Sequence, residues 1–405
     1  MKILVLNAGS SSQKSCLYEI IGNSLPDRVP QPIWNSSIDW KSKQLKITTT
    51  EIEQQIQLDS EDRPKGISQM LDTLISGETK VLNNFEAIDL VSHRVVHGGT
   101  EYNRATKIEP KVKQAIADLI PLAPIHNPAN LEGIEAIERL LGNVPQVAVF
   151  DTAFHAEMPL ETVVYPLPYQ WFEKGIRRYG FHGIGHQYCA KRAAQILNKP
   201  LKELKIITAH LGNGCSLAAV KDGKSINTTM GFTPLEGLMM GTRSGSIDPA
   251  ILIYLLREYN FNADSLDRLL NSESGLQGVS GISHDMREIR AAIERGDRRA
   301  KLALDMYVHR LKSAIGSMLP SLGGLDVLVF TAGIGENNPI IREMVGDGFE
   351  FLGLKLDPNL NNTATEDSVI SSSDSSVKVL VINSAEDWAI AAQSWQLITN
   401  NNNNF

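Results

Sequence analysis

Short apolar runs alternate along the chain with longer stretches in which apolar residues recur at helical spacing. The runs over 3–6, 90–96, 146–150, 206–209, 327–331 and 379–382 predict strands. Helical spacing predicts helices over 111–120, 128–140, 186–197, 249–258, 301–319, 339–345 and 386–397. Near-continuous apolar strands separated by helices predict an α/β protein whose strands are buried in sheets. The polar, weakly patterned stretch 22–61 reads as a peripheral hairpin region, with partial alternation over 47–56. The stretch 357–377, rich in Ser, Asn, Asp and Thr, reads as surface.

One pattern recurs three times, a strand running straight into small residues. These are 3–6 followed by N-A-G-S-S-S, 206–209 followed by H-L-G-N-G, and 327–330 followed by T-A-G-I-G-E-N. Gly and Ser let the backbone approach a ligand and aim N–H groups at phosphate oxygens. One such loop is an ordinary turn, but three after buried strands point to phosphate. The common nucleotide fingerprints are absent. Gly223-Lys224-Ser225 ends a segment with Ala218 where a P-loop needs its first glycine, and Asp222-Gly223 between two strand-like runs predicts a hairpin. The run 333–338 lacks the last glycine of a dinucleotide loop, and Asn338-Pro339 predicts the cap and first residue of a helix.

With 405 residues the chain is long enough for two or three domains. Its net charge of −7 argues against a nucleic-acid coat, which needs a basic footprint. Cys16, Cys189 and Cys215 are scattered, without a C-x-x-C pair, which disfavours a disulfide scaffold or cysteine zinc site and suits a reducing cytoplasm. The first apolar run is too short for a signal-peptide core, and no stretch approaches the ~18 residues of a membrane span. The Asn-rich tail 399–404 reads as frayed.

Several side chains have both a chemical and a structural reading. In N-A-G-S-S-S-Q-K, over 7–14, the serine hydroxyls and Lys14 could hold phosphate, or the segment is a polar hairpin turn. Arg94, inside a strand-like run, needs either an anionic ligand or a structural ion pair. Arg243, among small residues, is an accessible cation or a surface arginine. Asp151 at a strand end is a catalytic carboxylate or an N-cap. His182 and His186 have zinc spacing, but no glutamate stands between them and Gly183 and Gly185 oppose a helix; a histidine donating to an anion fits better. Asp285-Met286-Arg287 follows a loop and also reads as a helix start. Glu386 and Asp387 open the last helix, either to complement its dipole or to hold Mg²⁺.

Taken together these residues resemble the acetate kinases. The resemblance rests on 7–14, 94–99, 121–128 (P-L-A-P-I-H-N-P), 150–155, 177–186 (R-R-Y-G-F-H-G-I-G-H), 210–216, 228–248, 281–287 and 331–337, in the family's order over almost the whole chain. It implies the fold shared by acetate and sugar kinases, the large heat-shock chaperones and actin: two related α/β domains with mixed sheets clasping a nucleotide. Residues 1–150 with 386–405 would form one domain and 151–385 the other, in a homodimer. By position, His210, Leu211, Gly212, Asn213, Gly214, Asp285, Met286, Arg287, Gly333, Ile334, Gly335, Glu336 and Asn337 would bind ATP, with Lys14 nearby. Asn7 and Glu386 would serve Mg²⁺, with Mn²⁺ as the alternative. Arg94 would hold the acetate carboxylate, and Val96, Ile125, Phe181 and Pro234 would line the methyl pocket. Asp151 would be the catalytic carboxylate, with His182 and Arg243 stabilising the transition state.

Three positions depart from the family's usual residues: Gly183-Ile184-Gly185-His186 for G-T-S-H, Glu386-Asp387 for a double glutamate, and Ile125 for leucine. The implied reaction is direct, reversible transfer of the ATP γ-phosphoryl group to acetate, giving acetyl phosphate and ADP. A propionate or butyrate kinase of the same family is the nearer alternative, and a nucleotide-driven chaperone or filament protein the more distant one.

Overall fold

The computed structural model describes every residue except Ser10, Ser11, Glu61, Glu366 and 403–405. Two serines of the first small-residue loop and the end of the Asn-rich tail thus lie outside the described residues. The chain divides into two compact units, Met1–Ala156 with Ala385–Phe405, and Glu157–Ser384. The boundary after Ala156 leaves Asp151 in the first unit. Among the described residues no helix is long and apolar enough to cross a membrane.

The first unit contains β1 (Lys2–Ala8), β2 (Ser12–Glu19), β3 (Trp34–Asp39), β4 (Gln44–Thr49), β5 (Glu53–Gln57), β6 (Leu90–Val95), β7 (Thr106–Lys107) and β8 (Gln146–Phe150). They form one mixed sheet in the order β5-β4-β3-β2-β1-β6-β8-β7. β1, β6 and β8 run parallel at its centre. Their residues are buried almost without interruption, as expected of strands covered on both faces. The region 22–61 supplies three strands of an antiparallel meander, and β4 alternates buried and exposed residues because only one face packs inward. Helices Arg63–Ile75 and Asn127–Leu141 close a core of Leu4, Leu6, Trp34, Met70 and Ile137. Helix Glu386–Asn402 packs on β1, β6 and β8, with Trp388 edge-on to Tyr18.

The second unit contains β9 (Ile206–Leu211), β10 (Cys215–Lys221), β11 (Lys224–Thr228), β12 (Val327–Thr331), β13 (Ser368–Val369) and β14 (Lys378–Val381), in the order β11-β10-β9-β12-β14-β13. β9, β12 and β14 run parallel. Asp222 and Gly223 both have positive φ, 52° and 77°, which is the tight hairpin their sequence predicts. Helix Gly183–Ile196 packs on β9 and β12, and helix Arg298–Leu322 on β10.

Asn7 and Ala8 end β1 and Ser12 opens β2, its antiparallel partner, which is the hairpin reading of 7–14. Three expectations need correction. A helix begins at Gly183, three residues before its expected start: glycine costs little in a first turn, and His182 enters it from a left-handed backbone, φ 57°. Residues 332–337 form a short helix rather than a loop, followed by the expected Asn338-Pro339 start. Within 357–377, Asn361, Ile370, Ser371 and Ser375 are buried.

Candidate active site

Parallel strands deliver side chains to their C-terminal ends, where open α/β sheets bind ligands. In the first unit those ends gather Asn7 of β1, Arg94 of β6 and Asp151 just after β8, and the start of the last helix adds Glu386 and Asp387. Arg94 donates from Nε to Asp151 Oδ2 at 3.1 Å and from Nη2 to the same oxygen. Its Nη1 reaches Asn7 Oδ1 at 3.4 Å, and Asn7 Nδ2 donates to Asp387 Oδ1 at 2.8 Å. Burial works against the charge of Arg94, but Asp151, Glu386 and Asp387 outweigh it and raise its pKa. Burial pushes Glu386 up to about 7, helped by Asp151 and Asp387 and opposed by Arg94 and Lys14. Lys14 stands opposite Asn7 across the hairpin and is exposed.

Asp151 is 1% exposed, and its Oδ1 has no hydrogen-bond partner among the described residues. A buried carboxylate oxygen left over beside Glu386 and an amide oxygen suits a hard divalent cation, which prefers oxygen ligands. Among the described residues no group of three or more His, Cys, Asp or Glu is set to hold a metal alone.

The expected methyl-pocket residues divide between the units. Val96 is buried beside Arg94, its N–H bonded to Asn130 Oδ1, whereas Ile125 is 56% exposed. Phe181 is buried and Pro234 part-buried in the second unit.

The second unit carries a cleft of about 460 Å³ formed by three segments: Gly212 and Asn213, His284 to Arg287 with Arg290, and Gly333, Ile334, Asn337 and Asn338. Asp285 caps its helix by accepting from the N–H of Arg287, whose guanidinium pairs with the same carboxylate. That bonding holds Asp285 down at about 2. Residues 285–287 are thus the helix start their sequence suggested, and they also line the cleft.

Other residues expected at the nucleotide have side chains engaged within the fold. Leu211 is fully buried in the core, and Gly335 lies against the backbone of Phe330. Glu336 points inward, accepting from the N–H groups of Ala332 at 2.8 Å and Ser384 at 2.7 Å. Arg342 was not expected to matter. It is 1% exposed and holds the carbonyls of Gly335 and Glu336 at 2.9 and 2.7 Å, while Nε meets Asn361 Oδ1. Burial lowers its pKa to about 10. An arginine inside the apolar run P-I-I-R-E-M-V was the available signal. His284 and Arg290 were also missed, although Arg290 lies one helical turn beyond Arg287.

Beside this cleft, His182 stacks on His210 with ring centres 4.3 Å apart. Both ring nitrogens of His186 meet hydroxyls, of Thr208 and Ser216. Gly214 lies beside both groups: a Cβ there would be 3.4 Å from Arg243 Nη1 and 3.4 Å from the His182 ring, in ordinary van der Waals contact. Arg243 is part-buried, touches the Pro234 carbonyl at 3.4 Å and pairs with no carboxylate among the described residues. Burial lowers its pKa.

Residues 2–392 match the acetokinase family. The chain belongs to that family. It is thus a kinase of the acetokinase type. It is 64% identical to the acetate kinase of Microcystis aeruginosa, over 98% of this chain and all of that one. The crystal structure of Porphyromonas gingivalis acetate kinase superposes with a TM-score of 0.91 at 41% identity, covering 98% of this chain and 99% of the other. A propionate kinase from Francisella tularensis gives 0.88 at 37%, covering 97% and 98%. In this acetokinase the departures from the usual motifs are accommodated locally. Ile184 is buried in the first turn of its helix, and Asp387 is tied to Asn7.

Proposed function

We infer that the chain is an acetate kinase, transferring the γ-phosphoryl group of ATP reversibly to acetate and giving acetyl phosphate and ADP. The observation that carries the reading is the guanidinium of Arg94, part-buried at a strand end with one side engaged by Asp151 and carboxylates of Glu386 and Asp387 near it. The family match and the 64% identity to an acetate kinase support it.

The chemistry needs no general base, because the acetate nucleophile is ionised at pH 7, with a pKa of ~4–5 by analogy with side-chain carboxyls. The obstacle is an anion attacking an anion. Arg94 orients the acetate carboxylate, and Val96, Ile125, Phe181 and Pro234 are assigned to its methyl group. Asp151 holds Arg94 in place through two N–H groups, which is a positioning role and not proton abstraction. His182 and Arg243 donate to the phosphoryl oxygens as charge spreads in the transition state. The segments 210–214, 285–287 and 333–337 hold the nucleotide, with Lys14 nearby. Asn7 and Glu386, with the unpartnered oxygen of Asp151, would hold Mg²⁺, whose charge when bound offsets that of the phosphates.

A hydroxamate assay of acyl phosphate formed from ATP with acetate, propionate and butyrate tests this reading. The highest kcat/KM is expected with acetate. A clear preference for a longer acid, or ATP hydrolysis that ignores the acid and responds to a peptide, overturns it.

We further infer a cytoplasmic homodimer. The three cysteines are free buried thiols, in keeping with a reducing compartment. Helix Ala250–Glu258 buries none of its residues, and Ile251, Ile253, Tyr254 and Leu256 are 45%, 50%, 56% and 44% exposed. A patch of this kind marks a protein interface. Light scattering after size exclusion is expected to give twice the chain mass for the native protein and one chain mass for Ile253→Asp/Leu256→Asp. A double variant that remains dimeric would move the interface elsewhere.

A further inference from the structure

Tyr165 and Arg178 are brought together by a short antiparallel contact, the pairing of Val164 with Arg177, beside which the N–H of Arg178 donates to the Val163 carbonyl at 2.8 Å. The guanidinium carbon of Arg178 lies 5.6 Å from the centre of the Tyr165 ring. Both side chains reach the segment that follows β11. Arg178 Nη1 donates to three successive carbonyls, of Thr228, Thr229 and Met230, at 3.2, 3.0 and 2.9 Å, and Nη2 pairs with Glu236 Oε1 at 2.5 Å. Tyr165 accepts from the N–H of Phe232 at 2.8 Å and donates to Glu236 Oε2.

Chemistry fixes every one of these directions. A backbone N–H and a guanidinium only donate, and a carboxylate paired with a guanidinium only accepts. Burial and the bond to Glu236 raise the pKa of Tyr165, so the phenol keeps the proton it donates. Three carbonyl oxygens crowded on one nitrogen repel one another once its charge is removed, so the turn at 228–230 depends on Arg178. Its planar fork reaches carbonyls and carboxylate at once, which a lysine cannot do. Gly231 closes the cluster. Its carbonyl accepts from the N–H groups of Tyr179 and Gly180 at 3.0 and 3.2 Å. A Cβ on Gly231 would lie 1.7 Å from Glu236 Oε2 and 2.2 Å from the Tyr165 hydroxyl, so both groups would have to move.

Two residues assigned to the methyl group of the substrate are tied to this cluster. Phe181 directly follows Gly180, and Pro234 lies between Phe232 and Glu236, both of which Tyr165 holds. The Pro234 carbonyl in turn meets Arg243 Nη1 at 3.4 Å. We propose that Tyr165, Arg178 and Glu236 are positioning residues that set the length of acid the site accepts, by holding the segment 228–236 against the backbone of Tyr179 and Gly180 so that Phe181 and Pro234 stay fixed. This deepens the functional reading above and rests on its assignment of those two residues. An apolar pocket separates acids that differ by one methylene by about 10–200-fold, and only if its wall does not give way to the longer chain.

The test compares kcat/KM for acetate, propionate and butyrate in the hydroxamate assay, with thermal unfolding of the same preparations. Tyr165→Phe removes one hydroxyl and frees both Phe232 and Glu236. It is expected to lower the acetate-to-propionate ratio of kcat/KM by about 10-fold. Gly231→Ala displaces the Glu236 carboxylate from the opposite side and is expected to move the ratio the same way. Glu236→Gln, of equal size, replaces one acceptor oxygen and takes the place of either variant that fails to fold. A residue that merely stabilises the fold scales all three acids by one factor, as the folded fraction falls. An unchanged ratio in the variants therefore overturns the proposal, whatever their melting temperatures. Native enzyme that prefers a longer acid overturns the acetate assignment instead, and the change of ratio from native to variant still decides the role of the cluster.

Discussion

Arg94→Ala is expected to reduce kcat/KM for acetate by about 10²–10³ and to destabilise the protein by about 3–5 kcal/mol. Two separate losses contribute. Removing the guanidinium removes the group assigned to the substrate carboxylate, and it leaves Asp151, 1% exposed, as a buried charge without its partner. Breaking a buried pair on one side is costly because the remaining charge keeps its full desolvation penalty. The two losses separate in the double variant Arg94→Ala/Asp151→Asn, where an amide replaces the stranded carboxylate. Calorimetry is expected to show most of the lost stability returned, while the hydroxamate assay stays as low as in the single variant. If Arg94→Ala leaves both the acetate KM and turnover unchanged, the substrate site is elsewhere. If the double variant regains activity with its stability, Arg94 is a structural ion pair, the other reading its sequence position allowed.

That ambiguity shows where the sequence stops being legible. The six central strands β1, β6, β8, β9, β12 and β14 can be read because parallel strands buried on both faces are nearly continuous apolar runs. Strands β3 to β5 could be placed only as a hairpin region, since a half-exposed antiparallel meander dilutes its apolar residues with polar ones. The helix opening at Gly183 was hidden because glycine is penalised by its average propensity, while here the first turn and a left-handed His182 determine the outcome. Which residues share a strand end also depends on strand order, and order is a long-range property. Asn7, Arg94, Asp151 and Asp387 are far apart in the chain, and adjacent parallel strands with a returning terminal helix join them into one hydrogen-bonded set. Direction of the side chain is the last thing hidden. Glu336 sits in a loop-like motif that suggests ligand binding, yet its carboxylate satisfies two backbone N–H groups, and Arg342, in an apolar run, supports the same segment from behind.

Arg243→Ala is expected to lower turnover by about 10²–10³ without the loss of stability that accompanies Arg94→Ala. The contrast follows from what each arginine touches. Arg94 neutralises carboxylates of its own protein. Arg243 contacts a carbonyl at 3.4 Å and a thioether, and among the described residues no carboxylate offsets its charge. Holding such a cation part-buried costs the folded protein free energy, which the lowered pKa of Arg243 expresses. Replacing it strands no partner and relieves that cost, so the melting temperature should hold or rise. The benefit of the cation is realised only when an anion is present, which is the signature of a group kept for transition-state binding. Lysine at this position keeps the charge but loses the planar fork, and Arg243→Lys should recover only part of the turnover. Scanning calorimetry and single-turnover phosphoryl transfer on the same preparations decide the matter. A lower melting temperature with unimpaired transfer would make Arg243 a structural residue and leave His182 to stabilise the phosphoryl group alone.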